Sequence, residues 1–265
     1  MRDLKGKVAI VTGGARGIGK AIVKELASWD VKVVTCDLLE EEVLKTAEEC
    51  KSDGKEVTGI KIDLREVSEL DRLVKFTVDT YGTVDILVNC AAIQIRNASA
   101  NFTEKDWDLI SDVNLKSQFF LAQKAGRVML EKGSGSIVCI SSATATRFTS
   151  RRVPYNVTKA GVNALAGALG NEWARFGVRV NAIAPGWNAT EMVKDGLKSG
   201  IIDPAQILPM MPVNRFMEPH ELAQTVCFLA SEYSSAIVGQ TIYADGGGSI
   251  RCINETNDFK YDESI

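Results

Sequence analysis

Val8-Ala9-Ile10-Val11-Thr12-Gly13-Gly14-Ala15-Arg16-Gly17-Ile18-Gly19 is the stretch that decides the fold. An apolar, β-branched run leads straight into a glycine-rich turn, and an amphipathic stretch then continues through Ser28, which reads as strand, turn, helix. Glycines permit the tight turn and let the backbone approach a pyrophosphate, whose charge is favoured by N–H groups at a helix N-terminus. Gly13, Gly17 and Gly19, with Arg16 and Ile18 between them, are therefore expected to contact a dinucleotide. The next strand, 31–36, ends at Asp37, whose carboxylate can accept hydrogen bonds from adenosine ribose hydroxyls. A doubly charged 2′-phosphate about 4–5 Å from that carboxylate would be repelled by several kcal/mol at an effective dielectric of about 20. Arg16 leans the other way, but an exposed arginine gains less than the abutting carboxylate costs, so NAD is expected over NADP. Asp37 can also cap the helix expected from Leu39, and the two roles are compatible.

Farther along, Tyr155-Asn156-Val157-Thr158-Lys159 lies on an apolar helical segment, and residues four apart share a helix face. A free phenol ionises near pKa ~10, so acid/base work at neutral pH requires the removal of about three units, roughly 4 kcal/mol. One ammonium at ~4–5 Å supplies roughly 3–4 kcal/mol at an effective dielectric of about 20, and a cationic nicotinamide nearby would add to it. Alone, the pair reads equally as an aromatic and a snorkelling lysine on an ordinary helix.

With Gly13, Gly17, Gly19, Asn89, Asn114, Ser142, Tyr155, Lys159 and the Pro185-Gly186 turn in order, the chain resembles the short-chain dehydrogenase/reductase family in its compact single-domain form, over about residues 4–250. The resemblance implies a Rossmann-type, doubly wound parallel α/β sheet and four catalytic residues. Tyr155 would be the general acid/base, and Lys159 would lower its pKa and hold the nicotinamide ribose. Ser142 would hydrogen-bond the substrate oxygen, and Asn114 would shape a helix and a water-linked proton relay. Asp63-Leu64 matches the pair that receives adenine, Asn89 and Ala91 the strand end beside the cofactor, and Pro185, Gly186, Asn188 and Thr190 the segment near the nicotinamide carboxamide. Two departures stand out: Asn89-Cys90-Ala91-Ala92 where the family usually has Asn-Asn-Ala-Gly, and Asn188 where it has a branched apolar residue. Ala92 would be strained if its position needed positive φ, and Asn188 should act mainly through its backbone, its side chain adding a polar contact near nicotinamide or substrate.

Composition agrees with that fold. The chain has 265 residues, 45% hydrophobic and 25% charged, enough for one sizeable core. Further strands are expected at 57–62, 86–88, 137–140, 178–183 and 241–243. No apolar run approaches the ~18 residues of a membrane span, and the N-terminal apolar stretch is too short for a signal peptide, so a cytoplasmic protein is expected. The six cysteines, Cys36, Cys50, Cys90, Cys139, Cys227 and Cys252, show no metal-ligand spacing and read as reduced thiols; a reactive Cys90 is the less favoured alternative. His220 is the only histidine, which makes a Ser-His-Asp triad or a histidine-rich metal site hard to build, and it falls in the first turn of a helix opened by Glu218-Pro219. Asn-x-Ser/Thr matches at Asn97, Asn101, Asn156, Asn188 and Asn254 are read as coincidence. A net charge of −3 offers no basic stripe for nucleic acid.

Substrate recognition falls to loops at the carboxyl ends of the strands. Here they carry Gln94 and Arg96 after the fourth strand, Arg147, Arg151 and Arg152 between Ser142 and Tyr155, and Trp187-Asn188 after the sixth. Arginine forks suit carboxylate, sulfonate or phosphate, and amides and tryptophan suit polyhydroxy compounds. The stretches 93–96, 102–107, 152–155, 171–173 and 181–190 are similar to the gluconate and deoxy-gluconate dehydrogenase branch of the family. Reversible oxidation of a secondary alcohol on a sugar acid or related polyol is the expected reaction, with cyclic alcohols or hydroxysteroids, or a non-catalytic dinucleotide sensor or scaffold, as alternatives. Residues 191–211 are expected to form a lid and 251–265 a polar tail. A homotetramer is implied by the resemblance, through helices around 114–130 and 155–175.

Overall fold

The computed structural model describes residues 2–250; the expected tail at 251–265, Cys252 and Asn254 lie outside them. Seven strands, β1 (Val8–Thr12), β2 (Lys32–Asp37), β3 (Val57–Lys61), β4 (Ile86–Asn89), β5 (Gly135–Ile140), β6 (Val178–Pro185) and β7 (Thr241–Ala244), form one sheet in the order β3-β2-β1-β4-β5-β6-β7. Every pairing is parallel, and the order reverses between β1 and β4, so a crevice opens there at the strands' carboxyl ends. Seven expected strands are present, each displaced at its ends by no more than two residues.

Strand alternation separates two cores. Ala9 and Val11 of β1, Ile86 and Val88 of β4 and Val138 and Ile140 of β5 face one layer. That layer is closed by Ile22, Val23 and Leu26 of α1 (Gly17–Ser28), Ala47 and Cys50 of α2 (Glu40–Ser52) and Leu222, Val226 and Leu229 of α9 (Pro219–Ala230). Ile10, Leu87, Ile137 and Cys139 face the other. There they meet Leu70 and Leu73 of α3 (Val67–Tyr81), Leu121, Ala125 and Met129 of α5 (Ser117–Lys132) and Val162, Ala166 and Leu169 of α6 (Val153–Trp173). Because both faces are covered, the central strands β1 and β4 read as near-continuous apolar runs. A short helix, α4 (Glu104–Ser111), opens on a capping box between Thr103 and Asp106.

Between α4 and α5 the chain widens into a π-helical turn at Asp112–Lys116, with Asn114 fully buried at its centre. The segment expected as a lid forms α7 (Glu191–Lys198), capped by the Thr190 hydroxyl, and the single turn α8 (Pro204–Ile207), capped by Asp203. No helix among the described residues is long and apolar enough to cross a membrane, and these residues hold no cluster of three or more His, Cys, Asp or Glu side chains able to bind a metal.

Candidate active site

The glycine turn is closed by backbone contact rather than by side chains. A Cβ on Gly19 would lie 2.0 Å from the Gly13 carbonyl oxygen, and one on Gly13 would lie 2.8 Å from the Ala91 Cα. Gly13 and Gly17 both adopt left-handed φ, +75° and +56°. Arg16 is exposed at the N-cap of α1 and supplies no side-chain cap, which leaves the leading amides of that helix to a ligand. Thr12 fastens this turn to the neighbouring strand end, since its hydroxyl accepts from Cys90 N (3.0 Å) and Ala91 N (3.1 Å). Thr12 was not among the expected site residues; a buried hydroxyl ending an otherwise apolar strand was the available signal. Ala92 is absent from the residues with positive φ, so the Cys90 to Ala92 departure carries no backbone strain.

Asp37 ties the start of α2 to the glycine turn. Its Oδ1 accepts from Leu39 N (3.1 Å) at the start of α2 and its Oδ2 from Ala15 N (3.2 Å) in the glycine turn, which leaves a half-buried carboxylate at the crevice edge. Asp63 is half-buried beside Leu64 and bound by the Arg65 guanidinium, which holds its carboxyl below the usual range. Buried Asn89 donates to the Gln118 carbonyl (3.2 Å).

Asn114 is the knot of the site. Its Oδ1 accepts from Ile93 N (2.8 Å), and its Nδ2 donates to Ile93 O (2.9 Å) and, at 3.4 Å, to Thr158 Oγ1. One side chain thus ties the loop after β4 to the helix carrying Tyr155 and Lys159, and the π turn presents it. Pro154 sits in the first turn of α6, as its fixed φ favours, and sets Tyr155 just inside the helix. Lys159 is fully buried, with Nζ donating to Ile140 O (2.7 Å) and lying 5.7 Å from the Tyr155 ring centroid. Ser142 Oγ accepts from Thr144 N at 3.2 Å and Thr144 Oγ1 at 3.0 Å, so it caps the turn after β5 as well as facing the phenol.

Burial pushes the Tyr155 phenol above its ordinary value, while hydrogen bonding with Ser142 and then the charge of Arg152 pull it down. Lys159 is not among these influences; its ammonium points at a strand carbonyl, and burial brings its own pKa down to about 8. The Cys90 thiol is pushed up to about 12 by burial, the opposite of a reactive cysteine.

Ser142 and Tyr155 open into a cavity of about 630 Å³, walled also by Ile18, Gln94, Arg96, Thr149, Arg152, Pro185, Trp187, Thr190 and the α7 side chains Met192, Val193 and Asp195. Arg152 is half-buried, its guanidinium 5.8 Å from the Trp187 ring centroid, and Trp187 rests edge-on against Phe216 at 6.4 Å. Among the described residues, neither Arg96 nor Arg152 forms an ion pair with an acid. The acid in this wall, exposed Asp195, is 3.9 Å from Lys198. Arg147 and Arg151 are exposed and do not line the cavity. Arg151 takes a left-handed φ of +62°, the bend that precedes Arg152.

These features fit a nicotinamide dinucleotide. The buried Lys159 ammonium donates three hydrogens yet meets one carbonyl, and the uncapped α1 amides face the crevice beside Asp37. A family profile described as Enoyl-(Acyl carrier protein) reductase matches residues 13–249. The chain belongs to the short-chain dehydrogenase/reductase family and is an oxidoreductase with a nicotinamide dinucleotide cofactor. It is 35% identical over 246 residues to 2-dehydro-3-deoxy-D-gluconate 5-dehydrogenase of Escherichia coli K12, covering 92% of this chain and 96% of that protein. It is 36% identical over 242 residues to the 3-oxoacyl-[acyl-carrier-protein] reductase FabG of Staphylococcus aureus, covering 91% of this chain and 97% of that one. A crystal structure of a gluconate 5-dehydrogenase from Burkholderia cenocepacia, in complex with NADP and tartrate, superposes with a TM-score of 0.89 at 30% identity, covering 95% and 99% of the two chains.

Proposed function

We propose that this protein reversibly oxidises a secondary alcohol of a small hydroxylated acid, of the sugar-acid type, with NAD. The observation that carries the substrate class is Arg152, half-buried against Trp187 in the same cavity as Ser142 and Tyr155 and without an acidic partner among the described residues. A guanidinium so placed offers a planar fork to a carboxylate. The gluconate-type names and the tartrate of the relatives support that reading.

Gly13, Arg16, Gly17, Ile18, Gly19, Asp37, Asp63, Leu64, Asn89, Ala91, Tyr155, Lys159, Pro185, Gly186, Asn188 and Thr190 would hold the dinucleotide, which when bound supplies the hydride acceptor for oxidation and the donor for reduction. Tyr155 takes the alcohol proton onto its phenolic oxygen, Ser142 steadies the reacting oxygen, and Lys159 holds its charge beneath the ring. Asn114 fixes the loop and helix that set this spacing. Gln94, Arg96 and Trp187 share recognition with Arg152; Arg147, although expected there, is placed at the surface.

Replacing Arg152 with Gln should raise KM for an anionic substrate by on the order of 10–100-fold, the worth of a charge-assisted hydrogen bond, and leave a neutral polyol nearly unaffected. An equal effect on both would sink the carboxylate assignment. NAD over NADP rests on the Asp37 carboxylate, which would repel a 2′-phosphate, whereas the structurally similar gluconate 5-dehydrogenase is in complex with NADP. Asp37→Asn keeps an acceptor oxygen but removes the charge, so the ratio of NADP to NAD kcat/KM should rise by roughly 10-fold or more; an unchanged ratio would show that Asp37 does not select the cofactor.

A second reading, reduction of 3-oxoacyl thioesters, is favoured by the equally similar FabG relative and by the apolar wall of Ile18, Met192, Val193, Ile201 and Ile202. Assembly as a cytoplasmic homotetramer is part of the proposal, supported by exposed Trp107, Phe119, Val153 and Val157 on α4, α5 and α6.

A further inference from the structure

Among the described residues, the hydrogen bonds that Ser142 Oγ accepts both come from Thr144, one from its backbone N–H at 3.2 Å and one from its hydroxyl at 3.0 Å. A serine hydroxyl has two lone pairs and one hydrogen, so these bonds fill its accepting capacity. What Ser142 has left to offer is the hydrogen, in the cavity it shares with Tyr155.

That remainder decides what Ser142 can do. A serine with a free lone pair would accept the proton of a neutral phenol and hold Tyr155 in its protonated form, or accept from the substrate alcohol in a pose that delivers no proton to the phenol. With both lone pairs filled, Ser142 can only donate, to the phenolate before reaction and to the substrate oxygen during it. Donation to the charged form of the phenol favours that form. Thr144 is half-buried and lines the same cavity. The turn that carries it is closed by backbone bonds, Ala145 N donating to Ser142 O (3.0 Å) and Arg147 N to Ala143 O (3.0 Å). The Thr144 hydroxyl is therefore not what holds the turn together.

We infer that Thr144 is a positioning residue for the reaction, whose hydroxyl fills the second lone pair of Ser142 and so commits the Ser142 hydrogen to Tyr155 and the reacting oxygen. The inference rests on the assignment of Ser142 and Tyr155 to proton transfer. The other titratable groups that face the phenol are Arg152 and Lys159 from α6 and Cys90 beyond β4. None of them is altered in the test.

The Tyr155 phenolate is titrated by its near-ultraviolet absorbance on the full chain with NAD bound, each variant read against the same chain carrying Tyr155→Phe. Thr144→Val, which keeps the shape and drops the hydroxyl, should raise the midpoint by about one unit, a tenfold gain in proton affinity and the worth of one hydrogen bond. Thr144→Ser, which keeps the hydroxyl, should titrate with wild type. Thr144→Ala carries the same expectation as valine and covers the case in which the valine chain does not fold. In initial rates with a sugar acid, Thr144→Val should lose about tenfold in kcat with KM within about twofold, and Thr144→Ser should recover the loss. A midpoint in Thr144→Val at or below that of wild type overturns the inference, as does a full rise in a folded Thr144→Ser. A raised KM with an unmoved midpoint overturns it too, making Thr144 a substrate contact. A wild-type midpoint at or above the ordinary phenol value of about 10 overturns the Tyr155 assignment and this inference with it. A wild-type chain that turns over no sugar acid contradicts the substrate reading alone, and Thr144 is then judged on the titration.

Discussion

Tyr155→Phe should lower kcat by on the order of 10³-fold or more while NADH binds within about threefold of wild type. The phenyl ring keeps the packing of the first turn of α6 and the face that lies 5.7 Å from Lys159 Nζ. Only the hydroxyl is lost, and with it the atom proposed to exchange the substrate proton, a contribution typically worth about 10²–10⁴-fold. Ser142 does not replace it, because a serine hydroxyl without a neighbouring base holds its proton far too tightly, and His220, the only histidine, is exposed at the start of α9. Initial rates beside a dinucleotide titration separate the two quantities. Turnover within tenfold of wild type would remove Tyr155 from the chemistry, whereas loss of NADH binding would mean that the hydroxyl holds the cofactor instead.

Lys159→Met should abolish turnover and yet make the chain more resistant to heat near pH 7, without added dinucleotide. Burial lowers the Lys159 pKa from an ordinary 10.5 to about 8. A group depressed in this way binds its proton less well folded than unfolded, so it opposes folding wherever the unfolded chain holds it protonated. The penalty is complete below pH 8, shrinks between 8 and 10.5, and is gone above. A gap of that size corresponds to about 3 kcal/mol. The Ile140 carbonyl loses its donor in the variant, which offsets about 1–2 kcal/mol. Tm at pH 7 should therefore rise by a few degrees in a domain this long, and the difference should close or reverse by pH 10. A Tm at pH 7 several degrees below wild type would mean that the ammonium stabilises the fold, contrary to its burial. The same charge that a dinucleotide needs is a cost to the fold when no anion or ribose meets it, and this opposition supports a functional role for the buried lysine.

The central strands were legible because sheets covered on both faces require apolar β-branched runs, and 8–11 and 86–88 supply them with glycine or polar punctuation between. The contact of Asp37 with the start of α2 was legible because a carboxylate at a strand end, two residues before a helix, has few other partners. The arginines were not. Sequence places Arg147, Arg151 and Arg152 alike between Ser142 and Tyr155, but the left-handed turn at Arg151 and the Trp187 ring bring Arg152 alone of the three into the cavity wall, and both are matters of tertiary packing. The direction of the Lys159 ammonium was equally hidden. Four-residue spacing sets it on the face of Tyr155, yet the Ile140 carbonyl holds it beneath the ring and away from any hydroxyl contact. The π turn at Asp112–Lys116 needed the structure too, since its sequence differs in no visible way from the helices it joins.

The most direct measurement is the initial rate of NADH formation from NAD over a panel of sugar acids, matched neutral polyols, cyclic alcohols and hydroxysteroids, with Tyr155→Phe as the blank and 3-oxoacyl thioester reduction followed in the opposite direction. The account predicts turnover of sugar acids with kcat/KM at least tenfold above the neutral polyols of equal length, absent in the Tyr155→Phe chain. Turnover confined to neutral cyclic alcohols, steroids or acyl thioesters, or no turnover at all by a chain that binds NAD, would contradict it.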